Sequence, residues 1–490
     1  MKLDHSRAPV VEAIRSYRDR GHLSFLPPGH KQGRGVDPRV LGALGRAVFE
    51  SDIIVMNGLD DRTMSHGVLS EAEQLMAEAV GADHAFFSTC GSSLSVKSAM
   101  LAVAGPGEQL LVSRNAHKSV VAGLIISGVQ PVWVHPRWDA DLHFAYPPEP
   151  DDVDEACRRA RNARGMLLIT PTDYGTCADI RHTAEICHRH DIPLIVDEAW
   201  GAHLPFHPDL PAWAMDAGAD LCVTSVHKMG NGLEQGSVYH LQGDRVSPAV
   251  LTARSDLLNT TSPSALIYAG LDGWRRQMVE HGHELLDQAL RLATDTRAAL
   301  AEIPGLRVLG ADDLVGPGRA VDHDPLKIVI DLHELGRAGY QANEWVREHE
   351  NVDLGLSDHR RMAAQITVAD DSWTCQRLVA AIRAMVEHVD DIPAAKPMHL
   401  PLPGELELEQ ARLPRDAFFG PAEQVPAEQA VGRICAETIS PYPPGVPALL
   451  PGEVITKTVV EYLRSGLAAG MYIPDAADKE LTTIRVALDD

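Results

Sequence analysis

From about residue 68 to residue 240, short apolar runs alternate with stretches whose apolar positions recur at helical spacing, which is the pattern of parallel βαβ units. The runs at 84–88, 109–113, 130–135, 165–170, 193–196 and 221–224 predict strands. Between them, 68–80, 93–104 and a stretch near 179–190 predict helices. The fold class is therefore α/β with an open, doubly wound sheet. Such sheets bind ligands in the crevice beyond the carboxyl ends of their strands, so chemistry is expected just after those runs. After Gly273 the pattern changes to a long charged helix over 274–302, then to a second, smaller α/β pattern beginning at 324–332. A Pro- and Ala-rich segment at 392–404 reads as a linker. These shifts predict an N-terminal arm and large domain over 1–300, a smaller α/β domain over 301–395 and a C-terminal domain over 396–490.

Composition narrows the function classes. The chain has 490 residues, with 44 Lys and Arg against 68 Asp and Glu, a formal charge of -24. Such a balance repels a phosphate backbone, which removes nucleic acid as the default partner, and it leaves a small cationic substrate allowed. The longest uncharged stretch, 119–134, is interrupted by Ser127, Gly128, Gln130 and Pro131 and falls short of a membrane helix. The N-terminus alternates charged and apolar residues and lacks the apolar core of a signal peptide. Seven cysteines without a CxxC pair indicate neither a disulfide framework nor a zinc site, and a reducing cytoplasm is expected.

Three strand ends carry candidate chemistry. Asp197 follows a buried apolar run, and Lys228 lies in the turn after the next one. A carboxylate and a lysine at adjacent strand ends suit pyridoxal phosphate: the lysine forms the Schiff base and the carboxylate keeps the pyridine nitrogen protonated. A structural ion pair is the alternative for that pair alone. Gly91, Ser92 and Ser93 fall between a strand and a helix, where backbone N–H groups and hydroxyls make a phosphate cradle; the alternative is an N-cap without a ligand. His117 follows a further strand and either stacks on a flat cofactor or starts a helix. Ser225 and His227 flank Lys228, and Thr260 and Ser262 offer hydroxyls from a neighbouring loop.

Taken together, FLPPGHKQG (25–33), GLDD (58–61), GSS (91–93), RNAHKSV (114–120), VDEAW (196–200), SVHK (225–228), TTSP (260–263), DPLK (324–327) and AETISPYPPGVP (436–447) followed by PGE (451–453) resemble the ornithine, lysine and arginine decarboxylases, in their shorter form without an N-terminal response-regulator-like domain. The resemblance implies a fold-type-I, aspartate aminotransferase-like large domain and pyridoxal 5'-phosphate as cofactor. It implies that Lys228 holds the cofactor aldehyde, Asp197 pairs with the pyridine nitrogen, His117 stacks on the ring and Ala199 lies beneath it. Ser92, Ser93, Ser225 and His227 would hold the phosphate. Homodimers or larger even-numbered assemblies are implied, with Thr260 and Ser262 reaching the partner's site. Glu453 is expected to orient the substrate, and Trp200 and Asp353 are further substrate-facing candidates. No metal is expected.

The sequence also departs from the family pattern. Ile54 and Val55 stand where relatives carry Thr-Glu, RTMSHG (62–67) replaces a His- and Pro-containing run, and Gly355 stands where relatives tend to have Glu in V-x-x-E-x-x-D. The expected reaction is α-decarboxylation of lysine, ornithine or arginine, with His227 or Lys228 as proton donor. The departures keep two alternatives in view: an aminotransferase or oxidative deaminase of an arginine-like substrate, and a non-catalytic homologue that regulates an active partner.

Overall fold

The computed structural model of the chain describes residues 3–54, 67–401, 404–442 and 445–488. The GLDD box and Val55 lie outside these residues. In the first half of the chain the described strands are β1 (His84–Ser88), β2 (Gln109–Ser113), β3 (Gln130–Val134), β4 (Arg137–Asp139), β5 (Phe144–Tyr146), β6 (Ala163–Ile169), β7 (Thr176–Cys177), β8 (Leu194–Asp197), β9 (Leu221–Ser225) and β10 (Ser237–Leu241). One seven-stranded sheet has the order β1-β10-β9-β8-β6-β2-β3. β2 is parallel to both β3 and β6, whereas β10 is antiparallel to β1 and β9. The mostly parallel α/β sheet expected from the pattern is present, and β10 is the member the pattern missed. Parallel strands need a crossover of about a dozen residues or more. Only residues 226–236 separate β9 from β10, and they hold the turn carrying Lys228, so the chain returns antiparallel.

The expected helices occur as Val68–Ala79, Gly91–Val103 and Ile180–Arg189. The last begins where the Asp179 carboxylate accepts the His182 N–H at 2.9 Å, a side-chain cap on the first turn. The long helix spans Ala265–Ala301 and so starts earlier than the charge pattern suggested. Its first turns bury Ala265, Ile267 and Leu271, apolar residues that hid the helix from a reading based on charge.

By spatial proximity the chain forms two units, Met1–Ala102 with Val196–Leu286, and Val103–Ile195 with Asp287–Asp490. The divisions fall inside the helix Gly91–Val103, inside β8 and inside the long helix. In the second unit β11 (Arg307–Leu309), β13 (Lys327–Asp331), β14 (Leu356–Ser357) and β15 (Arg361–Gln365) make a sheet ordered β11-β13-β15-β14, and β12 (Asp322–His323) pairs with β7. β16 (Ala422–Pro426) pairs with β17 (Thr483–Ala487) beside the helix Lys457–Ala469, around a core that includes Leu449, Val459, Leu463 and Ile484. No helix among the described residues is long and apolar enough to cross a membrane.

Candidate active site

In the first unit the candidate residues gather at the ends of β8 and β9 and the start of the helix Gly91–Val103. β8 ends on Asp197, which is buried, and Ala199 and Trp200 follow it, half-buried. β9 ends on Ser225 and runs directly into a single helical turn, Val226–Met229, that carries His227 and Lys228. Gly230 closes that turn: a Cβ there would lie 2.7 Å from the Val226 carbonyl oxygen and 2.8 Å from the Trp274 ring, so only glycine lets the turn seat against Trp274. The Lys228 Nζ lies 4.3 Å from the centroid of the Trp200 ring, a cation–π contact that gives Trp200 a partner on the lysine.

The phosphate-cradle geometry forms around two hydroxyls. Ser225 Oγ donates to Ser92 Oγ at 2.7 Å, at the first turn of Gly91–Val103. Gly91 sits at φ 75°, in the left-handed region that favours glycine, and its N–H is used by the Gln235 carbonyl at 2.9 Å. The amides offered by this helix end are therefore those of Ser92 and Ser93, which belong to a first turn without acceptors inside the helix. Amides, hydroxyls and the lysine cation are the donor set a phosphorylated aldehyde requires, and the residues fit that group. His227 Nδ1 lies 3.2 Å from the Gly236 carbonyl, and burial lowers its pKa, with the nearby Lys228 charge acting in the same direction. A carbonyl only accepts, so Nδ1 carries the proton and a neutral His227 presents Nε2 as an acceptor. Thr260 and Ser262 are exposed and bond each other at 3.3 Å. Two residues that the motif reading passed over join them here: Cys90 Sγ donates to Asn259 Oδ1 at 3.3 Å, and that oxygen also accepts the Thr260 N–H at 2.9 Å. No spacing in the sequence signals this link.

In the second unit, His117 caps the helix Lys118–Ser127, its Nδ1 accepting the Ser119 N–H at 3.2 Å. Its ring edge lies beside Gly445, where a Cβ would be 3.4 Å from Cδ2 and Nε2, and the Lys118 N–H donates to the Gly445 carbonyl at 3.1 Å. The RNAHKSV loop is thus tied to the C-terminal segment 445–453. A buried ion pair strengthens the tie: Arg114 Nη2 lies 3.3 Å from Glu453 Oε1, and Arg114 Nη1 donates to the Pro447 carbonyl at 2.8 Å. Glu453 Oε2 accepts the Leu450 N–H at 2.9 Å. Burial raises the Glu453 pKa, and the Arg114 charge offsets only part of that. Asp353 is exposed at the approach to β14.

Comparison with known proteins decides the family. Residues 8–315 match the Orn/Lys/Arg decarboxylase major domain and residues 404–475 match the C-terminal domain of the same family. The chain belongs to the Orn/Lys/Arg decarboxylase family. This decarboxylase is 36% identical to an arginine decarboxylase of Halalkalibacterium halodurans over 98% of this chain and 97% of that one. It is 35% identical to an arginine decarboxylase of Bacillus subtilis over 99% of this chain and 98% of the relative. Among solved structures, the Escherichia coli constitutive lysine decarboxylase superimposes with a TM-score of 0.81 at 20% identity, covering 99% of this chain and 82% of that one, which bears on the fold.

The decarboxylase also gives its departure at Gly355 a physical reading. A side chain starting at Gly355 would begin 3.6 Å from Gln365 Oε1, and that oxygen accepts from Lys327 Nζ at 3.4 Å. Lys327 is buried. A side chain at 355 would therefore start beside the amide oxygen that the buried lysine of the DPLK box uses.

Proposed function

We propose that this decarboxylase removes the α-carboxylate of L-arginine, releasing CO2 and the corresponding guanidino amine, with pyridoxal 5'-phosphate as cofactor. The observation that carries the reading is the meeting, in one unit, of Lys228 at the end of β9, Asp197 at the end of β8 and the Ser92–Ser225 hydroxyl pair at a helix N-terminus. The naming of full-length relatives as arginine decarboxylases supports arginine over lysine or ornithine. The Gly355 contacts support reading that departure as one near Gln365 and Lys327 rather than as a sign of transaminase or oxidase chemistry.

When bound, the cofactor supplies an electron sink for the pair released from the Cα–carboxylate bond. Lys228 would hold its aldehyde carbon and yield it to the substrate amine. Asp197 would face the ring nitrogen and keep its proton, since an adjacent carboxylate favours the cationic form. The Ser92, Ser93 and Ser225 hydroxyls, with the Ser92 and Ser93 amides, would hold the phosphate, Ala199 would lie against the ring and His117 would stack on it. With Nδ1 on the Gly236 carbonyl, His227 would hold the phosphate through Nε2 only when protonated, and the proton for Cα would come from the Lys228 ammonium, or from His227 when it is protonated. Trp200 would position Lys228. Glu453 would act through Arg114, fixing the loop that bears His117, and Asp353 would add negative charge near the smaller sheet.

The match of 8–315 and 404–475 to the family's two domains supports the division into 1–300, 301–395 and 396–490. Exposure of Thr260 and Ser262 supports a homodimer in which they reach the partner's site. All seven cysteines are free, which supports a reducing, cytoplasmic setting. The test is incubation of the purified protein, supplied with cofactor, with carboxyl-labelled arginine, lysine and ornithine. Labelled CO2 with the matching amine is expected from arginine; a keto acid or hydrogen peroxide without CO2 would overturn the reading.

A further inference from the structure

The segment that carries Lys228 is seated on the first turns of the long helix Ala265–Ala301. At Gly230 a Cβ would lie 2.8 Å from Trp274 Cε2 and Nε1, and at Gly236 it would lie 3.1 Å from Leu271 Cδ2. Both glycines let the backbone close on the side chains of the helix. Gly236 is also bound back to the turn, since its carbonyl accepts the Val226 N–H at 3.0 Å and lies 3.2 Å from His227 Nδ1. Leu271 and Trp274 therefore set the position of the turn that bears Lys228. Trp274 is 5% exposed and meets the Phe206 ring edge-on at 5.6 Å. Its indole N–H has no hydrogen-bond partner among the described residues, so the ring acts on the turn by shape alone.

The same turns of the helix hold the start of the chain. Asp272 and Arg275 lie on either side of Trp274 in sequence, are fully buried and pair at 2.9 Å. Arg275 donates from Nη1 to the His5 carbonyl at 2.9 Å and from Nη2 to the Arg7 carbonyl at 2.5 Å. Asp272 Oδ2 accepts the Val10 N–H at 2.8 Å. Val10 lies in the first turn of the helix Pro9–Asp19, whose amides have no acceptor inside the helix and whose N-cap, Ala8, has no side chain to offer one. The Asp272 carboxylate caps that turn instead and complements its dipole. Stability alone does not call for such a buried pair, because desolvation offsets much of its attraction; bonds to three backbone groups fix one geometry. Residues 5–10 thus form a strap on the part of the helix that presents Trp274.

We propose that Trp274 is a positioning residue for Lys228, and that the strap of residues 5–10 holds it in place through the Asp272–Arg275 pair. The inference deepens the function proposed above and rests on Lys228 as the lysine that bonds the cofactor. Trp274 touches the turn and not the reacting atoms; it sets where Nζ is delivered. An amine adds to an aldehyde carbon only from a near-attack position, with the atoms about 3–3.5 Å apart, so a small shift of the turn slows bond formation. The Ser92 and Ser93 end of the phosphate cradle stands on a different helix and keeps its place when the turn shifts.

Two forms of the cofactor separate positioning from folding. Pyridoxamine 5'-phosphate fills the site without bonding to Lys228, whereas pyridoxal 5'-phosphate condenses with it, which the visible imine band reports. Trp274→Phe keeps an aromatic ring and removes the indole edge beside Gly230, while Arg275→Lys keeps the charge and loses the fork that reaches two strap carbonyls. The full-length apoenzyme of each is mixed with either ligand. Trp274→Phe is expected to bond pyridoxal 5'-phosphate about tenfold more slowly and Arg275→Lys about threefold more slowly, with pyridoxamine 5'-phosphate held within about twofold of the wild type in both. In the holoenzymes kcat for CO2 release should fall while KM for arginine is unchanged. Equal loss of affinity for both ligands, in step with Tm, makes the residues structural and overturns the proposal, as do wild-type rates in both variants. A wild-type rate in Arg275→Lys alone removes the strap from it. If the wild type itself gives no imine band, the assignment of Lys228 falls and the proposal with it; a wild-type band with unaffected variants sinks the proposal and leaves that assignment standing.

Discussion

Replacing Glu453 tests whether the C-terminal segment is held to the His117 loop by charge. In the native chain Arg114, whose side chain is 9% exposed, lies 3.3 Å from the buried Glu453, and the Leu450 N–H uses the second carboxylate oxygen. Glu453→Ala leaves a buried guanidinium without its counter-charge, a change that costs about 3–5 kcal/mol. Unfolding entropy of about 2 cal/mol/K per residue makes 1 °C worth about 1 kcal/mol for a chain of 490 residues, so Tm should fall by about 3–5 °C. Glu453→Gln keeps an acceptor for both donors and should cost only about 1 kcal/mol. The pH dependence carries a definite sign. The folded pKa of Glu453 is raised, chiefly by burial, so ionisation opposes folding, and the native advantage over the Gln variant should shrink as pH rises through the carboxyl range. Scanning calorimetry of both variants across that range checks the argument. Equal Tm values for Glu453→Ala and the native protein would refute it, as would a Gln variant no more stable than the Ala variant.

Lys228→Ala should abolish the imine band and CO2 release while circular dichroism stays native, because its proposed work is covalent. Asp197→Ala should weaken cofactor binding and lose most of the turnover, read by spectral titration; near-native turnover would show the ring nitrogen lies elsewhere. Gly91→Ala places a side chain at φ 75° and should cost about 1 kcal/mol and weaken cofactor retention on dialysis. Burial opposes the Asp358 charge, but Arg361, His359 and the Tyr174 hydrogen bond outweigh it, so its folded pKa is depressed. Its stabilisation is therefore present above about pH 4 and lost as pH falls through the folded pKa. Asp358→Asn should flatten that acid limb in urea titrations.

The strand ends were legible because each is short, apolar and followed by a polar residue that strand geometry must deliver to the top of the sheet. Asp197 and Lys228 are of this kind, and the Gly-Ser-Ser turn announces a helix start by residue type alone. β10 was not legible, since SVYHL reads equally as a strand of either direction, and only the shortness of 226–236 fixes it as antiparallel. Contacts far apart in sequence left no trace. Arg114 and Glu453 are each unremarkable in their own segments, and their pairing depends on how the C-terminal segment folds back. The Cys90–Asn259 and Asp358–Tyr174 contacts are hidden for the same reason: a side chain's partner across the fold has no periodicity to reveal it.

Gly355 shows how a departure from a family pattern should be weighed. Read along the sequence, a missing glutamate beside an expected cationic substrate suggests a changed substrate. In the fold, a side chain at position 355 would start 3.6 Å from Gln365 Oε1, the oxygen that accepts from the buried Lys327, so a carboxylate placed there would have a lysine of the protein's own interior within reach. A buried lysine needs an acceptor, and a neutral amide meets that need without a second buried charge, whose desolvation would offset much of its attraction. Restoring the acid, Gly355→Glu, is thus expected to alter stability and leave KM for arginine unchanged. A KM that falls with stability unaltered would return the position to the substrate and reopen the question of which cation is bound.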